Sequence, residues 1–455
     1  MNKTRSDFTH SSLLSKIRAT FNSATQGLNC FKGISLTDCL MSGLAIFSLK
    51  YKSLLQFEKD KSTEGFIKHN LASLYGVRYV PCDTYLRERL DGQNLSIIRF
   101  AFARIFAILQ RSRVLEHWKF LELEEKFLIS LDGSGFFSSN NVKCNYCCEK
   151  VLHRGTNKET TTYYHQMLIG SIVSPSMKQV LPIGFEPIIK EDGAQKNDCE
   201  RNCAKRWLEL FRKSHPRLPT IIVGDGLYSN GPFIKSLQER RCSYILVAKE
   251  DDHQYLYDYF WTGSGEDIGE FEVVLKNKLE DKRHQRIYIW YRFMNNVPLN
   301  DANYELKVNV LYFEKYDAKK NKTTKWLWGL WGLWVTDIEI NKKNAKFIMK
   351  GGRARWKIEN ETFNTLKNQG YNFEHNFGHG YNGLSNLFAG LMLLAFCIDQ
   401  VLEAANLEVA AILKKYGSRY NCYEKIRSKF CDFMISSFER LYEVMIIGPP
   451  KDRWL

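Results

Sequence analysis

Apolar residues recur at 3.6-type spacing through the first 120 or so positions. The stretches LTDCLMSGLAIFSLKYKSLLQFE and NLSIIRFAFARIFAILQRSRVLEHW both read as amphipathic helices. The second has Arg99, Arg104, Arg111 and Arg113 interspersed, as a phosphate-touching bundle or a plain solvated face would. Near residue 126 the pattern changes. KFLISLDGSGFFSS predicts a short strand ending at Asp132, and residues 163–173 and 178–189 predict two strands joined by a turn at 174–177. A helix follows over 197–213, then a strand ending in Gly224-Asp225, a helix with Pro232 near its start, and a strand over 242–250. Alternating, aromatic-rich runs from 251 to about 340 predict an inserted antiparallel sheet. Helical sequence resumes near 342 and runs on through 384–416 and 421–446. The fold class this predicts is α/β, a mixed-sheet core interrupted by an antiparallel β insertion between helical N- and C-terminal regions.

Residues 380–398 carry no Asp, Glu, Lys or Arg, but Asn382, Ser385 and Asn386 favour a buried helix over a membrane span. No secretory signal opens the chain, and a cytoplasmic setting with no membrane partner is expected. Twelve cysteines in 455 residues is too sparse for a disulfide scaffold. Those inside apolar runs, such as Cys242 and Cys397, read as reduced core residues. The length suggests roughly three domains. At 44% hydrophobic and 25% charged, the chain is neither disordered nor collagen-like. The net charge of +15 makes a polyanion, nucleic acid first, a plausible partner.

Asp132 and Asp225 each end an apolar strand and precede a glycine, in LDGSG and GDGLY. Alone, either is a turn signal. Together, on strands the order allows to be neighbours, they form a carboxylate pair that a divalent, oxygen-liking metal would compensate. Glu359 and Glu361 are candidates for a third acid. Two apart on a helix, they face opposite ways, and Arg355 lies four before Glu359 on its face. Lysines and arginines crowd this helix, including Arg353, Arg355, Lys357 and Lys367, with Tyr371, His375 and His379 just after. Backbone-phosphate contact suits that mixture better than a metal on the two histidines. Cys144, Cys147 and Cys148, followed by His153, contain half of a zinc signature, which Cys199 and Cys203 could complete. No standard spacing joins the two groups, so reduced thiols are the default.

The segment RWKIENETFNTLKNQGYNFEHNFGHG resembles the C-terminal signature of IS4-type DDE transposases, bacterial insertion-sequence enzymes with an RNase H-like core. LDGSGFFSS, YYHQ, DCERNCAKRW and IIVGDGLYS resemble the matching blocks, in the right order. The resemblance covers about 125–400. It implies a helical DNA-binding region at 1–122, a catalytic core at 123–250 and 341–416 split by the insertion at 251–340, and a helical region at 417–455. It also implies Asp132, Asp225 and Glu359 as the catalytic metal ligands. Two Mg2+ ions, with Mn2+ as a substitute, would serve double-stranded DNA cleavage and strand transfer, with a homodimer in the DNA complex. An RNase H-like nuclease without strand transfer, or a non-catalytic DNA-binding relative, is the alternative. An aromatic from the insertion is implied against a displaced base, with Trp290, Trp326, Trp328, Trp331 and Trp334 as candidates. Two positions depart from the family's pattern. Gly352 stands where it places a tyrosine, and Leu366 stands where it places a lysine, with Lys367 one residue later. Lys367 could take the phosphate role only if the helix is kinked or offset.

Overall fold

The computed structural model describes residues 6–28, 33–63, 65–190, 196–263, 268–278, 284–317, 322–325 and 332–448. Six helices come first: α1 (His10–Ala24), α2 (Leu36–Ser48), α3 (Leu54–Thr63), α4 (Phe66–Tyr75), α5 (Asp83–Leu90) and α6 (Ser96–Arg111). Thr9 and Ser35 start α1 and α2 by accepting from the backbone N–H of Ser12 and Asp38. Every residue of α2 is buried, because α12 (Leu384–Ala405) packs along it. This α12 is the charge-poor helix expected from the sequence. It is long and apolar enough to cross a membrane, yet 89% of its most apolar window is buried inside the protein.

The strands are β1 (Lys119–Phe120), β2 (Lys126–Ser139), β3 (Cys148–Leu152), β4 (Thr160–Val173), β5 (Leu181–Ile188), β6 (Thr220–Gly224), β7 (Ser243–Lys249), β8 (Ile268–Lys278), β9 (His284–Pro298), β10 (Lys307–Asp317), β11 (Lys322–Lys325) and β12 (Gly332–Thr336). They form one mixed sheet in the order β3-β4-β2-β6-β7-β12-β10-β9-β8, with β1 on β2, β5 on β4 and β11 on β10. Among the described residues, only β2–β6 and β6–β7 pair in parallel. Helices α7 (Lys196–Ser214) and α8 (Gly231–Glu239) make the crossovers. Residues 127–131 of β2 and all of β6 are buried, as expected of strands covered on both faces.

Several expectations change. β2 does not end at Asp132. It runs seven residues further because its antiparallel partner β4 keeps pairing out to Ser139↔Tyr163, while β6 stops at Gly224. The strands of 251–340 are antiparallel as expected, but they extend the main sheet through β12 on β7. Helix α9 (Gln254–Thr262) precedes them, and it and β3 were not expected. The long C-terminal helices are broken. Asn406 ends α12 and caps α13 (Leu407–Tyr416), and residues 433–437 separate α14 (Arg419–Asp432) from α15 (Phe438–Ile447).

The two ends of the chain are welded by polar contacts. The Asp91 carboxylate accepts from the backbone N–H of Tyr381, Asn382 and Leu384 at 2.9, 2.9 and 3.1 Å, at the positive end of α12. Lys50, just after α2, forms a buried ion pair of 2.6 Å with Asp399 of α12.

Candidate active site

The last β2–β6 partners in the parallel ladder are Ser130 and Val223. Asp132, within β2, and Asp225, just past the end of β6, each lie two residues beyond, so the register brings them to one region of the sheet edge, where Asp225 acts on the Asp132 carboxyl. Asp225 sits in a turn that its own side chain closes, accepting from Leu227 N–H at 3.0 Å. Asp132 accepts from Gly133 N–H at 2.9 Å.

Helix α10 (Ala345–Ala354) brings the third group over this edge, packing on β6 and β7. Just beyond its end, the Arg355 carbonyl accepts from Ser130 Oγ at 3.1 Å, fixing the turn to β2. The Arg355 side chain is 7% exposed and lies over the Trp356 ring. Burial pushes its guanidinium down from its ordinary value, and the charges of Asp225, Asp132 and Glu359 act against that. Its Nε has no hydrogen-bond partner among the described residues. Arg355 thus holds a buried positive charge among the three candidate acids.

Burial pushes the Asp132 carboxyl up to about 7, helped by Glu200 and then Asp225, against Arg355 and the Gly133 N–H. Glu200, on α7, is the acid that sequence reasoning missed. It accepts from the Tyr228 hydroxyl at 2.9 Å, three residues past Asp225. It also lies so close to β2 that a Cβ at Gly133 would fall 3.0 Å from its carboxylate. The signal was available in DCERNCAKRW, where Glu200 stands among the apolar positions facing the sheet. Glu361, by contrast, is drawn to Arg419 at 3.6 Å, away from this group.

Glu359 stands in a π-helical turn, Ile358–Phe363, between α10 and α11 (Asn364–Asn368). Such a turn adds one residue, so eight positions sweep about the angle of seven in an α-helix, about 20° from alignment. This is the offset that Lys367 requires to share the Glu359 face, while Leu366 is fully buried. Lys367 pairs with Glu374 at 2.7 Å. Gly352 is explained too, because a Cβ there would fall 2.5 Å from the Trp334 ring.

The remaining candidates divide. Arg353 and His375 are exposed, and Lys357 is half-buried with its ammonium on the Met177 carbonyl. Arg353, Lys350 and Lys357 line a groove together with Lys119, Glu122, Pro175 and Ser176. Tyr371 and His379 must be reassigned from DNA contact. Tyr371 is 1% exposed, with its hydroxyl on Asp399. His379 is 7% exposed and turned onto Cys147 and His165. Trp334 is buried packing, Trp290 is half-buried edge-on to Tyr312, and Trp326, Trp328 and Trp331 lie outside the described residues. Cys242 and Cys397 are buried as expected.

A family model for the transposase DDE domain matches residues 150–398, more than half of the chain. Asp225, Glu359 and Arg355 fall inside the match, and Asp132 lies 18 residues before it. No curated protein matches the chain. A DDE domain of this kind acts on DNA and generally uses divalent metal, which suits a sheet edge where acids outnumber a single buried arginine. The chain belongs to the transposase DDE domain family.

Proposed function

We propose that this protein is an IS4-type transposase that cuts DNA at the ends of its element and joins them to target DNA, with Asp132, Asp225 and Glu359 as its catalytic carboxylates. The observation that carries the reading is the buried Arg355 beside the β2–β6 register, a guanidinium acted on by the charges of Asp225, Asp132 and Glu359. In this reading β2–β7 with α7, α8 and α10–α12 form an RNase H-like core, 251–340 is its insertion, and the helices of 1–122 read the element's ends. The bacterial setting and a dimer on paired ends belong to the same proposal.

The carboxylates fit a hard cation. Asp132 stays protonated up to about pH 7 largely through burial and its acidic neighbours, an excess of negative charge that a bound cation relieves. Oxygen ligands suit Mg2+, or Mn2+ in its place. Bound by Asp132, Asp225 and Glu359, two such ions would acidify the attacking hydroxyl and stabilise the leaving oxygen. Arg355 offsets the acids' mutual repulsion before substrate arrives. Arg353, Lys357, Lys367 and His375 neutralise and position the phosphate backbone. Water first breaks the P–O3′ bond at the element's end and frees a 3′-hydroxyl. That hydroxyl then attacks a target phosphodiester and displaces a second 3′-oxygen.

This reading makes cleavage depend on pH in a stated direction. A ligand carboxyl must be ionised, and Asp132 is raised from 3.8 to about 7, so the rate should rise about tenfold per pH unit below 7 and level off above. The metal-free fold responds oppositely, losing stability as pH rises from about 4 to 7, because the folded state holds a proton that the unfolded chain releases. Cleavage of DNA carrying the element's ends, followed from pH 5.5 to 8.5 at limiting Mg2+, tests it. Metal-independent cleavage would count against the reading.

A further inference from the structure

We propose a second, structurally distinct metal site, a closed zinc centre made by Cys144, Cys147, His165 and His379. The four ligating atoms lie within 4.8 Å of one another. Cys144 and Cys147 come from the loop after β2, His165 from β4, and His379 from the segment between α11 and α12. The separations are 3.9 Å between the sulfurs, 3.2 Å between the two Nε2 atoms, and 3.5, 3.4 and 3.3 Å for Cys144–His165, Cys147–His165 and Cys147–His379. A zinc ion at about 2.3 Å from sulfur and about 2.0–2.1 Å from nitrogen, with tetrahedral angles, requires edges of about 3.8, 3.4 and 3.6 Å. Five of the six edges are within about 0.3 Å of these lengths, and the sixth, Cys144–His379, is within 4.8 Å.

The surroundings prepare them as ligands. His379 Nδ1 is 3.0 Å from the Gly380 carbonyl, so it carries the proton and donates it there, leaving the Nε2 lone pair free to bind metal. The backbone N–H of Tyr146 points at Cys144 Sγ and that of Cys144 at Cys147 Sγ, both at 3.4 Å, where they stabilise thiolate charge. Phe136 and Phe137 pack on the His165 ring, and Phe137 on His379 as well, shielding one side. Two thiolates and two imidazoles select a soft-to-borderline ion over Mg2+. Four protein ligands leave no open position, so the role is structural.

The sequence offered Cys144 and Cys147 as half a site and pointed to the wrong partners. Cys148 turns to the Ile188 carbonyl, Cys203 to those of Glu186 and Pro187, and His153 is exposed. The histidines that complete the site come from positions 165 and 379, far apart in sequence, so no spacing rule joins them. The centre ties the far end of β2, which carries Asp132, to the chain that follows the Glu359 segment. It thereby spans the two halves of the candidate active site without belonging to it.

Metal analysis of the full-length protein tests this directly. Protein produced with zinc should retain one zinc per chain through dialysis. Cobalt exchanged in its place should show the visible bands of a tetrahedral ion together with a near-ultraviolet thiolate-to-metal band. Asp225→Asn should keep the zinc, while Cys147→Ser and His379→Ala should each lose it. Folded wild-type protein that neither holds nor takes up zinc would overturn the proposal, as would soluble, folded Cys147→Ser with zinc still bound. The cobalt spectrum decides the matter from wild-type protein alone if the variants do not fold.

Discussion

Asp225→Asn should reduce Mg2+-dependent DNA cleavage to background, a loss of about 10³-fold or more, while leaving the fold and DNA affinity near wild type. Asparagine keeps the volume and retains the oxygen that accepts from Leu227 N–H, so the turn after β6 should survive. The charge that holds metal is what disappears. DNA affinity should persist because the basic groove of Lys350, Arg353 and Lys357 is untouched. Cleavage of end-bearing DNA measured beside a binding titration separates the two effects. Wild-type cleavage by the variant would remove Asp225 from the site.

The second large effect is on stability, at Lys50. Its ammonium is almost fully buried, 2.6 Å from Asp399 and 3.8 Å from the Tyr371 ring centre, with Tyr423 on another side. The Tyr371 hydroxyl donates to the same carboxylate. Lys50→Met removes the cation and strands Asp399 in the core, a cost of about 3–5 kcal/mol. A double variant, Lys50→Met with Asp399→Leu, should regain much of the loss because no lone charge remains. Urea denaturation midpoints of the three proteins measure this. A single variant as stable as wild type would show that the pair does not hold α12 to the N-terminal helices.

Local patterns carried much of the fold. The helical N-terminus, the order of strands and helices from 126 to 250 apart from β3, and the buried α12 all follow from periodicity and charge. What the sequence hid was set by pairing at a distance. The end of β2 depends on β4, and the attachment of β12 depends on β7, so neither length nor sheet membership is written locally. The candidate site was legible where an acid directly follows a buried apolar run, as at Asp132 and Asp225. Glu200 was passed over because its acid lies on a crossover helix, where its place on the sheet-facing side is a weaker signal than an acid after an apolar strand. Tyr371 and His379 misled because an aromatic and a histidine beside a basic helix look alike whether they face phosphate or the interior. The doubt over Lys367 has a local physical basis in the π turn, which a strict 100° wheel does not anticipate.

The central claim is that Asp132, Asp225 and Glu359 form one catalytic group that both cuts and joins DNA. The most direct measurement is joining of a DNA end bearing a free 3′-hydroxyl to target DNA in Mg2+, compared for wild type, Glu359→Gln and Glu361→Gln. The account predicts joined product from wild type and Glu361→Gln and none from Glu359→Gln. Undiminished joining by Glu359→Gln, or cleavage without any joining by wild type, would contradict it.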